Sequence, residues 1–428
     1  MPLDRAARRA LDHLDEDALV TSLAELVRIP SVTGSPAESE LQHRYAGWLA
    51  ELEMDVDLWP FDLVALQADP RFPGMEVERR EGWGVAAMLG SREGSEAPAL
   101  ILQGHVDVVP AGDAAAWRHP PFAAAIEGRR LFGRGACDMK AGVAANFAVA
   151  RALHRSGLVL ERPLAVHAVV GEEDGGVGAF ATLLRGHTGD AAVITEPTAG
   201  RLVTAAAGAL TFRIEVPGLA AHGSTRTSGQ SAIDAYLPIH RALADLEAAR
   251  NADVDRQFTG TDLPYAISVG VVRAGEWSST VPDALVAEGR YGVRLGEPLG
   301  AARAQLERAV STAAAAHPWL AEHPPQVTWP GGQFASGQLP DGHPLAGELQ
   351  TAATDTGSPC PQPFAAPYGS DLRLYAGLDG TPGIPTLHYG PGDIGVAHAT
   401  DEYVDLDEVV AVARALTVLA VRRCHAHT

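Results

Sequence analysis

Five short stretches of this chain set a histidine or a carboxylate directly after an apolar run or beside glycine. QGHVDVVP carries His105 and Asp107, GRGACDMKAG carries Asp138, GEEDGG carries Glu172 and Glu173, ITEPT carries Glu196, and GPGDIGVAHATDEY carries His398. A lone histidine after a strand is usually packed or solvated, and a lone Glu-Glu pair is usually a solvated turn. Five such junctions in one chain change that weighing. Two imidazoles and several carboxylates form a mixed nitrogen and oxygen donor set, which suits zinc, cobalt or manganese. No thiolate set is present for a closed structural zinc site. Buried carboxylates with neither cation nor donors would cost several kcal/mol each.

The stretch AVHAVVGEEDGG, Ala165 to Gly176, drives an apolar strand straight into two adjacent charges. Successive side chains of extended chain point opposite ways. One of Glu172 and Glu173 can therefore bind a metal while the other faces a metal-bound water as general base. A cation lowers the pKa of its water to about 7, where a nearby carboxylate can take the proton. Asp107 lies two residues from His105 on the same side of an extended chain, placed to accept the other imidazole N–H and fix the tautomer.

Side chains from five places converge only if strand ends share one edge of a sheet. Residues 99–103, 164–170 and 191–195 read as buried strands, and 16–28, 37–53 and 141–156 as helices. Continuous apolar strands alternating with helices predict an α/β fold, a mainly parallel sheet with helices on both faces. Near residue 205 the pattern changes. LTFRIEVPG alternates apolar and polar residues as a half-exposed antiparallel strand does. A helix at 229–249, strands near 265–273 and 284–294 and a helix at 300–316 follow, which predicts an inserted α+β, ferredoxin-like domain. Its end is expected around the Pro- and Gly-rich 318–330. The expected division is 1–205 with 321–428, and 206–320. Segment 60–84 reads as a long irregular loop, over a site or on the surface.

Composition narrows the function classes. At 428 residues two domains are expected. The net charge of −20 argues against nucleic acid and anionic membranes as partners. No stretch approaches the roughly 20 apolar residues of a membrane span, and the N-terminus lacks the apolar run of a signal peptide. Three cysteines, Cys137, Cys360 and Cys424, without a CxxC fit a reduced, cytoplasmic protein. Lys140 is the one lysine in the chain, and it follows Asp138 by two residues.

In this order the motifs resemble the M20 family of metal-dependent amidohydrolases, which includes acetylornithine deacetylase, succinyl-diaminopimelate desuccinylase, aminoacylase-1 and glutamate carboxypeptidase. The resemblance covers residues 18 to 420 or so and implies a site for two divalent metal ions, usually zinc. Asp138 would bridge them, His105 and Glu196 would complete one, and Glu173 and His398 the other. Glu172 would be the base that activates the bridging water, and Asp107 would orient His105. The peptide after Asp138 is often cis in the family. The inserted domain is similar to the family's lid or dimerisation domain, which implies a homodimer. Its segment GLAAHGSTRTSGQSAI implies that His222 donates to the oxyanion.

Two positions depart from the family pattern. Ala141 stands where the first of two glycines after the lysine is usual, and the usual carboxylate-binding arginine falls on Gly292, flanked by Arg290 and Arg294. Either could bind the substrate carboxylate, or neither. YGSDLRLYA resembles a segment lining the substrate pocket, with Gly369, Ser370 and Asp371 as candidates; Asp371 could equally cap a helix. The implied activity is amide hydrolysis, closest to the acetylornithine deacetylase branch: deacylation of an N-acyl amino acid by the metal-bridging hydroxide. A dipeptidase or carboxypeptidase shares the same ligands. A non-catalytic small-molecule binder would be expected to lose a ligand or the base, and this chain has lost none.

Overall fold

The computed structural model describes residues 3–90, 97–378 and 383–428. Two compact units emerge: Met1–Thr204, Gln338–Phe364 and Asp371–Thr428 form the first, and Ala205–Gly337 with Ala365–Ser370 the second.

The first unit is built on a sheet with strands in the order Asp55–Pro60, Trp83–Leu89, Leu164–Val169, Leu100–His105, Ala192–Ile194 and Thr386–His388. Its middle is parallel: Leu100–His105 pairs in parallel with both Leu164–Val169 and Ala192–Ile194, which in turn pairs in parallel with Thr386–His388. The flank formed by Trp83–Leu89 and Asp55–Pro60 is antiparallel. Side chains alternate between faces as the pleat requires. Leu100, Leu102, Val166 and Ala168 join the core under helices Glu16–Arg28, Ala141–Ser156 and Leu406–Arg423, whereas Ile101, Ala165 and Val169 join that under Val177–Leu184. Both faces of this sheet are thus covered by helices.

The helices start where the sequence offers caps. Asp15 accepts the Ala18 N–H at 2.9 Å to open Glu16–Arg28, and Asp405 accepts the Asp407 N–H at 2.9 Å to open Leu406–Arg423. Lys140 closes the first of these. Its buried Nζ donates at 3.0 Å to the carbonyl of Leu26, in the last turn of that helix, and at 2.7 Å to that of Ile29, its C-cap. Burial pushes its pKa down to about 7. The second of the two usual glycines is present as Gly142: a Cβ there would stand 2.2 Å from the Thr195 carbonyl. Ala141 is buried and its methyl is accommodated.

Segment 60–84 is less irregular than its sequence suggests: it holds the helix Leu63–Ala68 and enters the strand Trp83–Leu89. In the second unit Ile267–Ala274, Ala284–Val293, Gly208–Pro217 and Gln326–Thr328 form an antiparallel sheet in that order. Helices Ala232–Asn251 and Leu299–Ala315 share a core with it. This unit runs on past the Pro- and Gly-rich stretch because Gln326–Thr328 and Gln333–Phe334 both pair with Gly208–Pro217. No helix among the described residues is long and apolar enough to cross a membrane.

Candidate metal centre

Three parallel strands deliver the first donors to one edge. Leu100–His105 ends on His105, Leu164–Val169 runs into the turn with Glu172 and Glu173, and Ala192–Ile194 leads to Glu196. Asp138 lies just before helix Ala141–Ser156, and its peptide bond to Met139 is cis. His398 sits in the left-handed region, at φ 61°, where a side chain other than glycine's is strained.

These residues meet within the first unit. His105 Nε2 lies 3.1 Å from Asp138 Oδ1 and 3.8 Å from Glu196 Oε2. His398 Nε2 lies 3.5 Å from the other Asp138 oxygen, Oδ2, and 3.1 Å from Glu173. The donor atoms of His105, Asp138 and Glu173, and those of His105, Glu172 and Glu196, each fall within 4.8 Å of one another. Asp138 thus turns one oxygen to each histidine.

Burial, and then the field of Glu196, pushes the Glu172 carboxyl well above its usual range. Burial likewise raises Glu196, against the opposing pull of His105. Burial would raise Asp138 too, but the contacts from His105 and His398 hold it low. Hydrogen bonding to Asp138, then to Glu173, pushes His398 up to about 10. So much negative charge in so dry a place fits a cationic occupant, and imidazole with carboxylate is the donor set of zinc, cobalt or manganese. Cys137 is no part of it, since its Sγ donates to the Asp393 carbonyl at 3.3 Å.

Asp107 acts differently from the sequence expectation. His105 Nδ1 lies 3.0 Å from the Asp107 backbone carbonyl, while the nearer carboxylate oxygen is 3.6 Å away. That carboxylate instead accepts the N–H groups of Glu172 and Glu173 and the Thr33 hydroxyl. The carbonyl contact serves the tautomer that leaves Nε2 toward Asp138 and Glu196.

Two residues inside the quoted motifs carry weight that spacing did not reveal. Glu402 is wholly buried; its Oε1 accepts the N–H of Cys137 at 2.9 Å and of Asp138 at 3.1 Å. Its Oε2 pairs with Arg134, whose Nη2 donates to the His398 carbonyl at 3.1 Å. One ion pair therefore ties the backbones of two candidate ligands. Sequence gave the signal in part, an arginine and a glutamate beside the ligands, but not their pairing. The Asp371 carboxylate is fully buried and accepts from Gln103 Nε2 at 3.0 Å.

The other candidates belong to the second unit. His222 is exposed, and its Nδ1 accepts the Ser224 N–H at 3.2 Å and lies 2.7 Å from the Ser224 hydroxyl oxygen. Arg290 donates to the Pro367 carbonyl at 2.8 Å. Arg294 donates to the carbonyls of Ala249 and Arg250 at the end of helix Ala232–Asn251. Gly369 packs under Phe334, and Ser370 is buried.

Residues 101–422 match the family described as Peptidase family M20/M25/M40. The chain belongs to that family. It is an M20 hydrolase, of the metal-dependent amidohydrolase and peptidase kind. It is 25% identical over 407 residues to the N-formyl-4-amino-5-aminomethyl-2-methylpyrimidine deformylase of Bacillus subtilis, across 90% of this chain and 89% of that one. Its fold is similar to that of human carnosine dipeptidase 1, with a TM-score of 0.74 at 13% identity, across 99% of this chain and 100% of that one. It is also similar to a dinuclear metal binding peptidase of the M20 family from Bacillus subtilis, with a TM-score of 0.63 at 18% identity, across 95% and 98% of the two chains.

Proposed function

We propose that this M20 hydrolase removes a short acyl group from the amide nitrogen of a small molecule, an N-acyl amino acid or a comparable N-acyl amine. The observation that carries the reading is Asp138, with one carboxylate oxygen toward His105 and the other toward His398. In this reading His105, Asp138 and Glu196 hold one divalent ion, and Asp138, Glu173 and His398 the second, with zinc as the metal. Such ions, when bound, polarise an amide carbonyl and acidify water.

The chain's own groups do the rest. Glu172 takes the proton of the attacking water and delivers it to the leaving nitrogen as the carbon–nitrogen bond breaks. Asp107 orients His105 through its carbonyl and fixes the Glu172 backbone through its carboxylate. His222 donates from Nε2 to the oxyanion. Arg290 is the better of the two arginine candidates for a substrate carboxylate, because it donates to one backbone carbonyl, that of Pro367, where Arg294 donates to two at the end of a helix. Gly369, Ser370 and Asp371 are the candidates to line the substrate pocket. The deformylase relative supports a small acyl group. A homodimer formed through the second unit, acting as lid, and a reducing cytoplasmic setting complete the reading.

The test is hydrolysis by metal-stripped protein and by protein reloaded with Zn²⁺ or Co²⁺, on N-formyl, N-acetyl and N-succinyl amino acids and amines beside dipeptides. Metal-dependent release of one short acyl class is expected. Turnover of dipeptides alone would replace the reading with that of a peptidase.

A further inference from the structure

The turn Gly171–Gly176 carries both Glu172 and Glu173, and a single buried side chain from segment 60–84 grips it. The Arg79 guanidinium is fully buried, and its two terminal nitrogens go to different carboxylates. Nη1 donates to Glu38 Oε2, which also accepts the Gly34 N–H at 2.7 Å. Nη2 donates to Asp174 Oδ1 at 3.2 Å. The other Asp174 oxygen accepts the Val77 N–H at 3.1 Å, and the Asp174 carbonyl accepts the Glu76 N–H at 3.2 Å. The guanidinium also lies against the start of the turn: a Cβ on Gly171 would stand 2.7 Å from Nη2. Gly171 has φ +68°, so neither its backbone nor its surroundings admit a side chain.

We propose that Arg79 is a positioning residue for the Glu172–Glu173 turn, acting through Asp174. The inference rests on the roles assigned to those two glutamates above. Besides Arg373, whose Nη2 donates to the Gly175 carbonyl at 2.7 Å, two side chains restrain the turn in different ways. Asp107 holds its first two N–H groups. Arg79 holds its far end at Asp174 and blocks its near end at Gly171. Removal of the guanidinium leaves the buried Glu38 and Asp174 carboxylates with backbone N–H donors, those of Gly34 and Val77, but no cation between them, and loosens the turn at Asp174. A fork is required, because a lysine ammonium in its place is a point charge that cannot present two fixed nitrogens to two carboxylates. Residues 76–79 of segment 60–84 are therefore part of the scaffold of the turn.

The experiment compares full-length wild type with Arg79→Met, Arg79→Lys and Asp174→Asn. Cobalt affinity is read by chelator competition and geometry by the visible spectrum of the Co²⁺-loaded protein. kcat and KM are read on the N-acyl panel. Arg79→Met is expected to weaken cobalt binding and lower kcat by about 10- to 100-fold, with KM within about threefold, as for other groups that orient ligands. Arg79→Lys should recover only part of this. In a Glu172→Ala background, Arg79→Met should lower cobalt affinity yet add no further loss of turnover. Wild-type cobalt affinity, spectrum and kcat in Arg79→Met, with only the melting temperature reduced, would overturn the proposal. If Arg79→Met does not fold, Arg79→Lys and Asp174→Asn decide by the same readouts. If wild type hydrolyses nothing on the panel, the proposed reaction fails, and the cobalt measurements still decide the role of Arg79.

Discussion

The Asp107 carboxylate holds the Glu172 backbone: its Oδ1 accepts the Glu172 N–H at 3.2 Å, and Oδ2 the next N–H, that of Glu173, at 3.3 Å. The same residue meets His105 through its carbonyl. Asp107 thus couples the strand that ends on one proposed ligand to the turn that holds another and the base. Asp107→Asn turns an amide N–H₂ toward one of those backbone donors. Metal affinity and turnover should both fall by about 10- to 100-fold. Chelator competition and kcat on reloaded protein check it, and two unchanged values would confine Asp107 to a packing role.

Glu172 is buried among carboxylates yet makes no short contact to either histidine, unlike Asp138 and Glu173. It is the member of the cluster best spared for proton transfer. Glu172→Gln keeps shape and removes the proton acceptor. The expected loss in kcat is about 10²- to 10⁴-fold, the usual worth of general acid–base catalysis, with metal content per chain unchanged by elemental analysis. Turnover within a few-fold of wild type would move the base elsewhere.

Arg134 and Glu402 form a buried pair that the site's geometry leans on at Cys137, Asp138 and His398. Loss of one partner leaves a dry, uncompensated charge, at about 3–5 kcal/mol. Arg134→Met should lower the urea midpoint accordingly and weaken metal binding with it. A midpoint shift with metal affinity intact would separate the pair's structural role from the site.

The parallel strands and the candidate site residues behind them were legible because burial on both faces writes an unbroken apolar run, and those residues follow such runs directly, as at His105, Glu172 and Glu196. The antiparallel strands Asp55–Pro60 and Trp83–Leu89 were not. The first mixes acidic and apolar residues on a half-exposed edge, and the second opens on Trp-Gly behind a charged loop. The supports of the site were hidden for another reason. Arg79 meets Asp174 across 95 residues of sequence, and Arg134 meets Glu402 across 268. Spacing encodes neighbours on one helix or strand and carries nothing about such pairs. Asp107 meets the His105 imidazole through its backbone carbonyl, a contact that residue spacing does not specify, while its carboxylate is taken up by the turn 65 residues away.

His167 offers a pH test remote from the proposed ligands. It is buried in the strand Leu164–Val169, with Nδ1 2.8 Å from the Tyr375 hydroxyl oxygen. Burial, reinforced by the charge of His187, pushes its pKa down to about 3. In the unfolded chain the imidazole returns to about 6.5. Between those values the unfolded state holds a proton that the folded state does not, so stability falls as pH drops from 6.5 toward 3. The slope approaches about 1.4 kcal/mol per pH unit, and the cost at pH 4.5 is about 3 kcal/mol. His167→Gln removes the titration while keeping a polar group beside Tyr375. Between pH 7 and 4.5 the urea midpoint of wild type should fall more steeply than that of His167→Gln, since the carboxylates that also titrate there are common to both. Parallel curves would mean that His167 takes up its proton without unfolding.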